Sequence, residues 1–157
     1  MVKGSFLKKY NTEIFFVSLS SLILLLDQLT KYLVWLFNPK LNLKLLTVHL
    51  VKNTGAGFGI LKDQVKILAV ISLVVAVTVI LMYKKIPREK FPQIFFALFL
   101  GGIIGNLIDR VFRSYVIDFI DFRIWPAFNI ADAAISTAVI GLIVFFWKND
   151  NQNLLSK

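Results

Sequence analysis

Asp27, Asp109, Asp118, Asp121 and Asp132 stand in or beside strongly apolar sequence. An ionisable group inside an apolar span costs roughly 2.5–3.5 kcal/mol on insertion scales, so such groups normally have a partner or a task. Asp27 and Lys31 are spaced i, i+4 and share a helix face. Taken alone they read as an ion pair whose lysine snorkels to the headgroups. Asn106 and Asp109 are spaced i, i+3, with Arg110 and Arg113 placed to neutralise the carboxylate. Asp118 and Asp121 sit in Val116-Ile117-Asp118-Phe119-Ile120-Asp121, where apolar neighbours argue against simple solvated loop charges. Asn129 and Asp132 open the last apolar run. Helix capping accounts for Asn129 and, less fully, the helix dipole for Asp132.

Carboxylates with asparagines beside them suggest one chemistry. Two carboxyl groups held close share a proton and their apparent pKa values split. One can then deprotonate a water while the other protonates a carbonyl oxygen or leaving amine. Composition alone does not choose between Asp118 and Asp121 as a member of such a pair. Other chemistries lack their parts. The chain has no Cys, which removes disulfides, thiolate metal sites and cysteine nucleophiles. His49 is the one histidine and reads as structural, with no partner at a metal-ligand spacing. There is neither a G-x-S-x-G elbow nor an H-E-x-x-H motif. No metal and no cofactor is expected.

The elements that must position these residues are read from hydropathy. Of 157 residues, 57% are hydrophobic and 17% charged, and the net charge is +9. This excludes a disordered chain and disfavours a soluble enzyme, leaving a small integral membrane protein. The basic excess fits residues flanking spans rather than a nucleic-acid surface. Four apolar runs, Ile14 to Phe37, Ile67 to Tyr83, Phe91 to Ile108 and Ile130 to Trp147, predict an all-α bundle of four transmembrane helices in a single membrane domain, 1–157. The first run continues into Asp27, Lys31 and Trp35, which suggests an uncleaved span rather than a signal peptide. Residues 38–66 form a long loop, in which Leu41, Leu43, Leu45, Val48 and Leu50 suggest short half-buried strands. A second loop runs from Asp109 to Asn129. Gly101, Gly102 and Gly105 suggest close helix packing. Four spans place both termini on one side, and the dense basic loop 84–90 favours the cytoplasm for it. The polar residues then gather in one leaflet.

Five blocks, in order, resemble those of the bacterial lipoprotein signal peptidases (signal peptidase II). Asp27-Gln28-Leu29-Thr30-Lys31 resembles D-Q-x-T/S-K, and Asn53-Thr54-Gly55-Ala56-Gly57-Phe58-Gly59 resembles N-x-G-A-A-F-G. The run Gly101 to Arg110 resembles G-G-A-x-G-N-L-x-D-R. Val116-Ile117-Asp118-Phe119-Ile120 resembles V-V-D-F-I, and Phe128-Asn129-Ile130-Ala131-Asp132 resembles F-N-x-A-D. The resemblance implies a membrane aspartic endopeptidase that cuts prolipoproteins before a diacylglyceryl-modified Cys. By that resemblance Asp118 and Asp132 are the catalytic pair. Asn53, Asn106, Asp109, Arg110 and Asn129 shape the site, with Asp27 and Lys31 as supporting residues. It further implies a small extracytoplasmic sheet and helix between spans 1 and 2, a site near the extracytoplasmic surface of the inner membrane, and cytoplasmic termini. The expected partners are prolipoprotein and membrane lipid, with the chain a monomer. Two departures stand out: Gly57 replaces the block's second Ala, and only thirteen residues separate Asp118 from Asp132.

Three rivals remain from residue content. Asp27, Asp109 and Asp132 could serve a small proton-coupled transporter, although one leaflet lacks polar lining. A glycine-faced assembly factor leaves the polar cluster unexplained. A metal-dependent lipid-processing enzyme would use the aspartates as ligands.

Overall fold

The computed structural model describes the backbone of residues 2–57 and 60–155, with side chains over 11–57 and 60–151; Phe58 and Gly59 of the second sequence block lie outside the described residues. Four helices carry the chain: α1 (Val2–Phe37), α2 (Val65–Leu81), α3 (Lys90–Arg113) and α4 (Ile130–Leu155). Strands β1 (Lys40–Asn42), β2 (Thr47–Asn53) and β3 (Val116–Asp121) form an antiparallel sheet in the order β1-β2-β3.

Among the described residues, three helices are long and apolar enough to cross a membrane, over Asn11–Phe37, Lys90–Arg113 and Ile130–Asn151; α2 is a shorter apolar helix of 17 residues. α2 is helical although its run of β-branched residues has a strand-like composition. α3 is the central helix: 44% of its apolar window is buried, against 17% for α1 and for α4. Its glycines permit this. A Cβ on Gly101 would lie 2.6 Å from the Ser20 carbonyl oxygen of α1, and one on Gly102 would lie 2.6 Å from the Ala131 carbonyl oxygen of α4. A core of Phe16, Ala76, Val79, Ile86, Ala97, Leu100 and Ile103 joins α1, α2 and α3. Outward-facing Leu22, Leu25, Leu29, Val70, Val74, Ile140 and Val144 remain exposed, as a lipid-facing surface would be.

A second core of Val34, Ile117 and Phe119, backed by Val48, Leu50 and Ile130, ties the sheet to the end of α1 and the start of α4. The third strand departs from the loop expected between Asp109 and Asn129. α3 continues past Ile108 to Arg113, held by the i, i+4 pair of Asp109 and Arg113, and stops at Ser114 in the left-handed region (φ 62°). The chain then reverses into β3. The alternating leucines also part company: β1 ends at Asn42, because Leu43 and Leu46 exchange backbone hydrogen bonds of 2.8 and 3.1 Å across a tight turn that leaves Leu45 exposed.

Candidate active site

α1 supplies the foundation. Lys31 is completely buried, as are Asp27 and Asp109: its ammonium lies 2.8 Å from Asp27 Oδ2 and 3.1 Å from Asp109 Oδ2, and donates to Asn106 Oδ1 at 2.9 Å. The ion pair expected from spacing is present, but the lysine does not snorkel, because three acceptors hold it inside. Desolvating these ions costs several kcal/mol each and is offset only where every charge is partnered. Arg113, rather than Arg110, makes the further ion pair with Asp109. Both carboxylates also accept from backbone: the Ile117 N–H donates to Asp109 Oδ2 at 3.0 Å, and the Ala131 N–H donates to Asp27 Oδ1 at 2.9 Å. One aspartate of α1 thus caps the first turn of α4. Gln28 completes the layer, donating to Asp27 Oδ2, the Gly105 carbonyl and Asp109 Oδ1 at 3.2, 3.0 and 3.4 Å. Its place beside Asp27 in the first block was the available signal; charge-based reasoning passed over it.

Above this layer sit Asp118 and Asp132. β3 carries Asp118, which is 1% exposed. Phe128 bridges back to Ile120, its N–H and carbonyl both engaged at 3.0 and 2.9 Å. That return sets Asn129 against Asp118 and puts Asp132 in the first turn of α4, where the helix dipole favours its charge. Asn129 Nδ2 donates to Asp118 Oδ1 at 2.7 Å, and Asn53 Nδ2 donates to Asp118 Oδ2 at 2.9 Å. Asp132 Oδ1 accepts from Asn106 Nδ2 at 2.7 Å and its Oδ2 from the Asn129 N–H at 3.3 Å. Asn53 owes its position to a one-residue register shift in β2 between Val48 and Val51. Continued unbroken, the Thr47–Asp121 pairing would set Asn53 opposite Tyr115, on the face away from Asp118. With the shift it pairs with Val116 and shares the face of Asp118.

Asp118 and Asp132 line one cleft of about 880 Å³ together with Asn53, Asn106 and Arg110. Arg110 turns to the Ser72 hydroxyl and the Gly55 carbonyl at 3.4 and 3.5 Å. Asn129 is fully buried beneath the cleft, and Asp27, Lys31 and Asp109 are buried below it. Trp125, Pro126 and Ala127 also line it; nothing in their residue types had marked them. Burial first, and then the Asp132 charge, raise the Asp118 pKa to about 7. Asp121 is elsewhere: an odd number of positions from Asp118, it falls on the other strand face. It accepts from the Arg123 N–H at 2.7 Å and pairs with His49 at 3.0 Å, and these bonds lower its pKa. Among the described residues, no group of three or more His, Cys, Asp or Glu side chains is arranged to hold a metal ion. Asp118 can therefore hold a proton near neutral pH.

Residues 19–148 match the family described as signal peptidase (SPase) II. The lipoprotein signal peptidase of Moorella thermoacetica is 40% identical over 139 residues, covering 85% of this chain and 91% of its own. That of Thermodesulfovibrio yellowstonii is 42% identical over 152 residues, covering 91% and 97%. A solved structure described as a bacterial membrane enzyme superposes with a TM-score of 0.82 at 27% identity, covering 88% of this chain and 90% of that one. The chain belongs to the signal peptidase II family and is a membrane aspartic peptidase, a hydrolase.

Proposed function

We propose that this chain removes the signal peptide from prolipoproteins by cutting before a diacylglyceryl-modified Cys, with Asp118 and Asp132 as the catalytic pair. The observation that carries the reading is the shared cleft, in which both carboxyl groups receive asparagine amides and one has its pKa raised to about 7. A water between them loses a proton to the ionised carboxylate as its oxygen attacks the scissile carbonyl. The protonated carboxyl gives its proton to the carbonyl oxygen. Collapse of the diol intermediate breaks the C–N bond; the first carboxyl returns its proton to the leaving amine, and the diol proton restores the second. Arg110 and Asn53 line the cleft where the substrate backbone would lie. Asn106, Asn129, Asp109, Asp27 and Lys31 hold the pair in place.

In this reading α2 is a fourth span of the one membrane domain. Its 17 residues rise about 25 Å at about 1.5 Å each, within the range that crosses a bilayer, and the 3-10 turn Tyr83–Lys85 extends it. Both termini then lie in the cytoplasm of a bacterium. The sheet and cleft lie at the extracytoplasmic surface of the inner membrane, where a lipid-anchored scissile bond and bulk water meet. At the opposite end the buried Gln93 is bound internally, donating to the Pro87 carbonyl at 2.9 Å, which does not favour a proton path through the bundle.

The test is cleavage by the purified chain of a diacylglyceryl-modified prolipoprotein and its unmodified form, followed by gel shift in excess chelator. The modified form is cut and the unmodified form far more slowly. Equal rates would remove the lipid from the reading, and loss of activity restored by a divalent ion would remove the Asp pair.

A further inference from the structure

Three asparagine amides reach the two carboxyl groups, and each has its oxygen held from behind. Asn53 Oδ1 accepts from the Gly55 N–H at 2.9 Å, and Asn129 Oδ1 accepts from the Asp132 N–H at 2.9 Å. Asn106 Oδ1 accepts from the Lys31 ammonium at 2.9 Å and, at the longer distance of 3.3 Å, from Asn129 Nδ2. A backbone N–H and an ammonium can only donate. Each amide is therefore forced to turn its NH2 group toward a carboxyl oxygen. A flipped Asn106 would set its own oxygen against Asp132 Oδ1, at the 2.7 Å now spanned by a donor. The donors behind Asn53 and Asn129 are backbone. Those behind Asn106 are side chains, and Lys31 is the nearer and the charged one. An ammonium has three N–H groups; two serve Asp27 and Asp109, and the third goes to Asn106. Neutralising the two aspartates does not by itself account for that third bond.

We propose that Lys31 is a positioning residue for the cleavage reaction: by pinning the Asn106 carboxamide oxygen it fixes this amide as a donor to Asp132 and so holds Asp132 oriented in the cleft. The proposal rests on Asp118 and Asp132 being the catalytic pair. It gives the buried lysine a task distinct from the helix-to-helix ion pairing it also performs. A lysine acting only as an ion-pair partner would affect folding and stability. A lysine acting through Asn106 affects turnover, and only while Asn106 is present.

The test is a double-mutant cycle on the full chain in detergent, using the diacylglyceryl-modified prolipoprotein as substrate. Lys31→Met is made together with Asp27→Asn, so that one positive and one negative buried charge leave together and Asp109 keeps Arg113. Relative to Asp27→Asn alone, Lys31→Met should lower kcat about 30-fold, in the range for coupled neighbours, with KM changed less than about twofold. With Asn106→Ala already present, the same Lys31→Met change should lower kcat less than about twofold. Equal falls in the two backgrounds would overturn the proposal. If the Met variant does not accumulate as folded protein, the cycle is run with Lys31→Gln. Its amide can present either atom and so does not pin; a fall of about tenfold should appear with Asn106 and vanish without it, and equal falls would again overturn the proposal. An active wild type and a dead Asp118→Asn, with no coupling in the cycle, would reject the role of Lys31 and leave the peptidase reading standing. An active Asp118→Asn would instead reject that reading.

Discussion

Replacing Asp118 by Asn separates the catalytic demand on this residue from its structural cost. The substitution removes a proton-transfer group, worth roughly 10²–10⁴-fold in rate. It also places an NH2 against Asn129 Nδ2 or Asn53 Nδ2, where an oxygen now accepts at 2.7 or 2.9 Å. One buried donor is left unmatched, at about 1–3 kcal/mol. At pH 4 wild-type Asp118 is already neutral, so the variant is the less stable protein by about that amount. A carboxyl raised from 3.8 to about 7 binds a proton in the folded state that the unfolded chain has released across this window. Wild-type stability therefore falls as pH rises from about 4 to 7. The shift of roughly three units amounts to at most about 4 kcal/mol. The substituted amide does not titrate, so the variant escapes this loss. Melting curves in detergent should cross: Asp118→Asn melts below wild type at pH 4 and level with it or above at pH 8. At about 2–4 °C per kcal/mol the relative swing is several degrees or more. Asp121→Asn serves as the control on the same strand. Its lowered pKa gives the opposite slope, the variant losing ground to wild type as pH rises through the carboxylate range. Its cleavage rate should stay within about tenfold of wild type, under the threshold of a lost catalytic group. Parallel curves for Asp118→Asn and wild type from pH 4 to 8 would refute the account of burial and charge at Asp118. A dead Asp121→Asn beside an active Asp118→Asn would show the wrong carboxylate to have been chosen.

Gly102→Ala should destabilise the bundle by about 1–3 kcal/mol, the usual cost of overpacking, because the added Cβ meets the Ala131 backbone carbonyl oxygen at 2.6 Å; a thermal melt within a degree of wild type would argue against the α3–α4 contact. Single Cys residues introduced at Lys44 and Ser114 should react with an impermeant thiol reagent outside intact cells, and one at Lys85 should not; the reverse pattern would invert the proposed orientation.

The helices were legible because apolar length reports them directly. The sheet was half legible. The alternating leucines pointed to strands in the long loop, but β3 reads Val-Ile-Asp-Phe-Ile-Asp, with neither clean alternation nor turn residues inside it. What makes it a strand is pairing with β2, some 65 residues earlier in the chain, together with the bridge from Phe128. The polar cluster was legible as a set, since charges in apolar sequence are costly and conspicuous. Partner choice within it was not. Spacing offered Asp109 two arginines, and the structure gives it Arg113 and the distant Lys31 while Arg110 turns to the cleft. Nor could spacing say that Lys31 stays inside, because its fate depends on Asp109 and Asn106 of another helix. The preference for Asp118 over Asp121 came from resemblance; strand parity sets Asp118 on the cleft face and Asp121 on the other, paired with His49.

Three of the five sequence blocks meet around a single carboxylate, that of Asp27. Asp27 Oδ2 holds the Lys31 ammonium, and Asp27 Oδ1 accepts the Ala131 N–H of the last block. The glycine of the third block makes room for it: a Cβ on Gly105 would lie 2.5 Å from Asp27 Oδ2. Asp109, from the same block, takes the other side of Lys31 and accepts the N–H of Ile117, one residue before Asp118. Both proposed catalytic carboxylates are therefore adjacent in sequence, by one residue each, to a backbone N–H gripped by this layer. A shift of α1 along α3 would move the start of α4, held by Asp27, relative to β3, held by Asp109. The same buried charges that anchor the bundle thus set the spacing of the pair, so repacking the layer with apolar residues, often neutral or stabilising for a buried ion pair, would here be expected to retain the fold and lose cleavage.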